Sequence, residues 1–281
     1  MEINEQMHQD RLAILERIKQ FEQQKKWHID VETDPPAPVL MPDQVDYLNK
    51  KLSSKIARRL AFHGAKKYLM NILREKKLII KDVIGLEHVK YLQTGAIVTS
   101  NHFSPMDTFA VQYALDLGGV KKERLYRVIR EGNYTNFPGF FGKLMRHCNT
   151  LPLSSNTETM KLFMEAIDVV LKDNNLVVVY PEQAMWWNYK KPRPFLDGAF
   201  KFAVNSDIPI LPMFITMEDS DIMGEDGFYI QAYTIHIFPP IYKDEKKTNR
   251  QNVEYMKKKN FDLVKKCYED TYKTKYDLEW D

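Results

Sequence analysis

Apolar positions change their rhythm twice along the chain. From 4 to 26 they recur at helical spacing, with Met7, Ile14, Ile18 and Phe21 forming a narrow stripe on an otherwise polar segment. Three prolines in Pro35-Pro36-Ala37-Pro38 end that pattern and predict a stiff linker. A second helical stretch, about 43–74, carries Leu52, Ile56, Leu60, Phe62, Leu69, Ile72 and Leu73. Beyond it come short, β-branched, nearly continuous apolar runs: GAIVTS (95–100), LYRVI (125–129), NLVVVYP (175–181), IPILPMFI (208–215) and YTIHIF (233–238). Helical patterns at 105–117, 138–147, 157–172 and 198–205 separate them. A closing helix, about 248–273, gathers Val253, Met256, Val264, Cys267 and Tyr272 on one side. Strands apolar throughout and alternating with helices predict an α/β layered fold: a mostly parallel central sheet flanked by helices, preceded by an N-terminal helical segment. The predicted organisation is a polar helix at 1–34, a Pro-rich linker at 35–42, a basic amphipathic helical segment at 43–81, and an α/β domain with its C-terminal helix over 82–281.

Composition narrows the class. With 281 residues and 44% hydrophobic positions the chain is expected to be globular rather than disordered. Cys148 and Cys267 are too few for a disulfide framework and lie in no metal-ligand spacing, so reduced thiols and no metal are expected. Acidic residues scattered through the first 30 positions, Glu2, Glu5, Asp10, Glu16 and Glu22, argue against a secretory signal. No run approaches the roughly 20 apolar residues of a membrane span. The expected location is cytoplasmic, peripheral on the inner face of the membrane.

The charge is unevenly spread. Between Lys50 and Lys81 eleven Lys and Arg stand against Glu75 alone, a local +10 within a chain of net +3, which leaves −7 for the remainder. A basic amphipathic helix is the pattern of a segment lying on an anionic membrane surface, and equally that of a solvated face packed on its own domain. Without a recognisable binding motif, nucleic acid is not an expected partner.

In α/β folds ligands gather at the carboxyl ends of strands, which directs attention to Asn101-His102-Phe103-Ser104-Pro105-Met106-Asp107, just after the run at 95–100. Ser104, Pro105 and Asp107 suit an N-cap, the first helical position and the third, so Asp107 has an ordinary capping role open to it. The His102–Asp107 spacing also lets a carboxylate reach back to an imidazole. There it would fix the tautomer and leave the other nitrogen as a general base. Spacing alone leaves both readings open.

NHFSPMD resembles the N-H-x-S-x-x-D signature of the lysophosphatidate (1-acylglycerol-3-phosphate) acyltransferases, within the H-x-x-x-x-D superfamily. Further blocks follow in order: VIGLEHV (83–89), RVIREGNY (127–134) with FPGFFG (137–142), NTLPLSS (149–155), YPEQAM (180–185), PFLDGAFKFA (194–203) and ILPMFI (210–215). The resemblance implies a glycerol-phosphate acyltransferase-like fold and transfer of a fatty acyl group from a thioester, acyl-CoA or acyl-carrier protein, to a lyso-lipid hydroxyl. It implies no further cofactor and no acyl-enzyme. It assigns His102 as general base and Asp107 as its orienting carboxylate. The acceptor side is assigned to Asn101, Ser104, Arg130, Pro181, Glu182 and Gly198. Two family arginines are missing, replaced by Ser154-Ser155 in the second block and by Gln183-Ala184-Met185 in the third. Either Lys190, Lys191 and Arg193 take over their contact with an acceptor phosphate, or the acceptor is another lipid, such as a glycolipid or aminolipid. A non-catalytic lipid-binding role on the same scaffold is the remaining alternative. Trp186, Trp187 and Tyr189 beside those lysines suggest aromatic rings at headgroup level.

Overall fold

The computed structural model describes residues 3–278. Its elements in chain order begin with α1 (Glu5–Gln23), α2 (Leu52–Arg74), β1 (Ile79–Ile84), α3 (Glu87–Lys90), β2 (Ala96–Thr99), α4 (Asp107–Leu117) and β3 (Leu125–Ile129). Next come α5 (Glu131–Thr135), α6 (Gly139–His147), β4 (Thr150–Pro152), α7 (Thr157–Lys172) and β5 (Leu176–Val179). The chain closes with α8 (Gly198–Asn205), β6 (Ile210–Met223), β7 (Tyr229–Ile237) and α9 (Asn249–Tyr272).

Among the described residues the strands form one sheet in the order β1-β7-β6-β2-β5-β3-β4. The five from β6 to β4 run parallel, while β7 pairs antiparallel with β6 and carries β1 parallel beside it. Every residue of β2 and β5 is buried, as continuous apolar runs demand of strands covered on both faces. One face packs against α7, α8 and α9 through Phe163, Ile167, Phe200, Met256, Phe261 and Val264. The other is covered by α4 and the inner side of α2, through Val111, Leu115, Leu69 and Ile72. Gly95 is required just before β2: a Cβ there would stand 2.3 Å from the Leu171 carbonyl oxygen. Both cysteines are free and buried, and burial pushes each thiol up to about 11.

Three expectations need correction. The helix expected from 43 begins at Leu52. Before it the Asp46 carboxylate accepts the Lys50 and Lys51 amides, each at 3.0 Å, Asn49 is left-handed at φ 51°, and the buried Tyr47 hydroxyl donates to the Pro152 carbonyl. Those local bonds fold 45–51 as a loop. β1 was hidden by Lys81 and Asp82, polar positions that suit an edge strand with a bulge between Ile80 and Asp82. The apolar positions of α2 also divide between two faces. Ala61, Phe62, Leu69 and Ile72 are buried, whereas Leu52, Ile56 and Leu60 are 73%, 55% and 69% exposed. No described helix is long and apolar enough to cross a membrane.

The N-terminal segment lies against the α/β layers. Ile14 and Ile18 of α1 pack with Trp27, Val31, Trp186 and Trp187, and Asn136 tacks the proline stretch down by donating to the Pro35 and Pro36 carbonyls.

Candidate active site

Parallel pairing sets Thr99 of β2 opposite Val179 of β5, so the residues that leave those two strands meet at the carboxyl edge of the sheet. His102 comes from the first strand and Tyr180 from the second, and their rings stack with centroids 4.1 Å apart and planes 15° off parallel. His102 Nδ1 lies 2.7 Å from Asp107 Oδ2, with the His102 side chain 24% exposed and that of Asp107 1%. The same Oδ2 accepts the amides of Phe103 and Ser104, at 3.0 and 3.2 Å, and the Tyr180 hydroxyl donates to Oδ1 at 2.8 Å. Burial and the neighbouring Asp107 carboxylate push the Tyr180 phenol well above its usual value, so it stays a neutral donor.

The two readings of Asp107 are therefore both realised by one carboxylate. It closes the turn into α4 and holds the imidazole, with Nδ1 as the donor and Nε2 left without a partner among the described residues. The expected cap moves by two residues: α4 starts at Asp107 after Met106, and Ser104 Oγ accepts the Met106 amide instead.

The other expected residues divide sharply. Asn101 is internal; its side-chain amide exchanges two bonds with the Ile215 backbone on β6, at 3.0 and 2.9 Å, fixing the start of the loop. Ser104 is buried in the turn. Pro181 is buried, and its carbonyl accepts the Leu196 amide. Gly198 opens α8 with free space where a Cβ would stand, and no hydrogen bond among the described residues joins it to the His102–Asp107 pair. Glu182 is 2% exposed and fully engaged. One oxygen accepts the Arg193 amide at 2.9 Å; the other accepts the Arg193 guanidinium at 2.8 Å and the His102 amide at 3.3 Å. An acceptor-binding role by direct contact is thus replaced by a scaffolding one. Arg130 is half-exposed on the same sheet edge, where it pairs with Asp30 and with Asp34, the latter at 3.2 Å.

The residues expected to replace the missing arginines are all committed elsewhere. Arg193 is 1% exposed, bound to Glu182, to the Trp27, Ala184 and His102 carbonyls, and stacked 4.7 Å over Trp186. Lys191 bridges Glu22 and Asp277, and Lys190 lies over the Tyr272 ring. Trp186 and Trp187 are 0% and 7% exposed, core to the α1 contact and not available at headgroup level.

Tyr180 is the side chain that sequence reasoning missed, and Arg193, named there as a possible phosphate contact, serves instead as a buried strut. A faint signal existed for each: a tyrosine ending an otherwise apolar strand at the ligand edge, and an arginine set between Pro192 and Pro194 in an apolar run.

Beside Arg130 lies a cavity of about 590 Å³, lined among others by Asp34, Glu131, Asn133, Phe137, Ser154 and Ser155. β3, which leads into Arg130, is the second strand from β2, so this cavity opens roughly 10 Å along the edge from His102. Its second-block serines bind Glu131, whose carboxyl is held below the usual carboxylate range, against the effect of burial, by the Leu40 amide and both serines.

Fold and site define an α/β protein with a His–Asp pair at the carboxyl edge of a parallel sheet. Residues 81–216 match the family model described as Acyltransferase. It is similar to 1-acyl-sn-glycerol-3-phosphate acyltransferases of Limnanthes alba, 28% identical over 170 residues (58% of this chain, 55% of the relative), and of Limnanthes douglasii, 29% over 167 (57% and 54%). The chain spans about half the length of these curated relatives. Among solved structures, the 1-acyl-sn-glycerophosphate acyltransferase PlsC of Thermotoga maritima aligns with a TM-score of 0.45 and 18% identity, over 80% of this chain and 81% of that one.

Proposed function

We propose that this protein is an acyltransferase that moves a fatty acyl group from a thioester, acyl-CoA or acyl-carrier protein, to a hydroxyl of a lysophospholipid of the 1-acylglycerol-3-phosphate type. The observation that carries the reading is the 2.7 Å contact between His102 Nδ1 and Asp107, with the partly exposed ring turned to the ligand edge. With Nδ1–H donated to Asp107, Nε2 has the lone pair that accepts the acceptor hydroxyl's proton as its oxygen attacks the thioester carbonyl. Asp107 stabilises the resulting imidazolium. Collapse of the tetrahedral adduct breaks the C–S bond, and the proton passes from Nε2 to the departing thiolate. No bound cofactor is needed for these steps.

A peripheral position on the inner face of the membrane fits the reaction. Support for it is the outer side of α2, where exposed Leu52, Ile56 and Leu60 alternate with Lys55, Arg59 and Lys66.

A second reading concerns the acceptor. Arg130 is already neutralised by Asp30 and Asp34, and Asp34 and Glu131 both line the adjoining cavity. That lining favours a neutral or cationic head, such as that of a glycolipid or aminolipid, over a phosphomonoester. The test is thiol release and product formation with acyl-CoA, and separately with acyl-carrier protein, across lysophosphatidate, lysophosphatidylethanolamine and a glycolipid acceptor. Transfer dependent on both substrates is expected. A wide margin for lysophosphatidate would remove the second reading, and absence of transfer to every acceptor from either donor would overturn the first.

A further inference from the structure

At the opposite end of the sheet lies a second cavity, about 330 Å³, that acyl transfer does not use. Lys55, Arg58 and Arg59 of α2 line it with Phe62, and Lys122 reaches it from the turn just before β3. Lys122 precedes the amino end of β3, whereas His102 follows the carboxyl end of β2, and the two strands run parallel through β5. The cavity is therefore separate from the catalytic edge.

Its electrostatics are one-sided. Four cations face it against a single lining carboxylate, Glu123, and none of the four closes an ion pair among the described residues. Lys122 stands over the Phe62 ring at 5.8 Å. Elsewhere on the molecule the cations near the ligand edge, Arg130, Lys191 and Arg193, are all answered by carboxylates. Two guanidiniums with two ammoniums suit a phosphate better than a carboxylate, because the forks bind its oxygens in pairs. An excess of three positive charges suits a phosphomonoester, with its near-double charge and three terminal oxygens, better than a singly charged diester.

We propose that this cavity binds the phosphomonoester head of an anionic lipid. The lipid source is favoured because the helix that supplies three of the cations also exposes Leu52, Ile56 and Leu60 along its outer side, an apolar ridge for the surrounding acyl chains. The volume suffices for a head and not for the tails. The proposal is independent of the chemistry at His102.

The experiment is sedimentation of the full chain, wild type and His102→Ala alike, with phosphatidylcholine vesicles containing either phosphatidate or phosphatidylglycerol at matched surface charge. We expect both proteins to bind phosphatidate vesicles about tenfold or more tightly, on the scale of one charge-assisted contact. Lys122→Ala and, separately, Arg58→Gln should erase that preference while leaving phosphatidylglycerol binding intact, which also shows that each variant is folded. Inorganic phosphate and glycerol phosphate serve as competitors: partial displacement from phosphatidate vesicles alone is expected. Equal binding to the two vesicle types would overturn the proposal, as would a preference that survives both substitutions. Protection against unfolding by free phosphate without any vesicle preference would also overturn it, assigning the cavity to a soluble anion.

Discussion

Asp107 makes four contacts with two oxygens, and each contact has a separable consequence. Asp107→Asn keeps the shape but removes the charge that stabilises an imidazolium, so we expect a rate loss approaching about 10⁴-fold. Tyr180→Phe keeps the stacked ring and deletes only the O–H donor; with one hydrogen bond to a charged group at stake, about 10–100-fold is expected. Steady-state transfer rates of the two variants test the ranking, and a Tyr180→Phe loss as large as that of Asp107→Asn would contradict it. The His102–Asp107 contact was foreseeable because it depends on a short local spacing, although the spacing left its role open and the family resemblance alone assigned it. Tyr180 was not, because its role arises from the register of β5 against β2, which strand periodicity does not encode.

Elements were read well wherever one face is buried and the run is long. The helix expected at 157–172 coincides with α7, and 198–205 with α8. Reading failed where side-chain-to-backbone bonds or edge exposure decide the outcome, as at 45–51 and in β1. The two faces of α2 yield a sharp expectation. Replacing Leu52, Ile56 and Leu60 by serine removes only exposed apolar surface, so stability should change by no more than about 0.5 kcal/mol per site. Binding to anionic vesicles should nevertheless fall about tenfold or more. Unchanged vesicle binding would assign α2 to intramolecular packing alone.

The β6–β7 pair carries a pH expectation. Burial holds His236 below the ordinary imidazole range, and its Nε2 meets Thr216 Oγ1 at 3.0 Å. Neutral in the fold, it takes up a proton more readily in the unfolded chain. Its contribution to stability is therefore complete above about pH 6.5 and lost as pH falls from there toward the folded-state value. Urea unfolding midpoints measured from pH 7.5 down to 5 should fall, and His236→Gln should flatten the decline; an identical slope in the variant would exclude this residue.

Over the whole molecule, the N-terminal segment and the His102–Asp107 turn meet through one buried ion pair. Arg193 binds the Trp27 carbonyl on one side and Glu182 and the His102 carbonyl on the other, while the Trp186 indole donates to Ile29 and the Met185 amide to Asp30. This connection was illegible in the sequence: residues about 150 positions apart share bonds that only the tertiary fold creates. Breaking a buried pair strands its partner charge, so Arg193→Met should cost about 3–5 kcal/mol, read from the urea midpoint, and should lower transfer as the His102 turn loosens. A near-neutral midpoint would show that the pair is dispensable.

The central claim, that His102 acts as a base held by Asp107, is tested most directly by the transfer rate of His102→Ala under saturating donor and acceptor. The side chain is partly exposed and contributes little packing, so the unfolding midpoint should stay close to that of the wild type while the rate falls by about 10²–10⁴-fold. A folded His102→Ala protein that transfers acyl groups at the wild-type rate would contradict it.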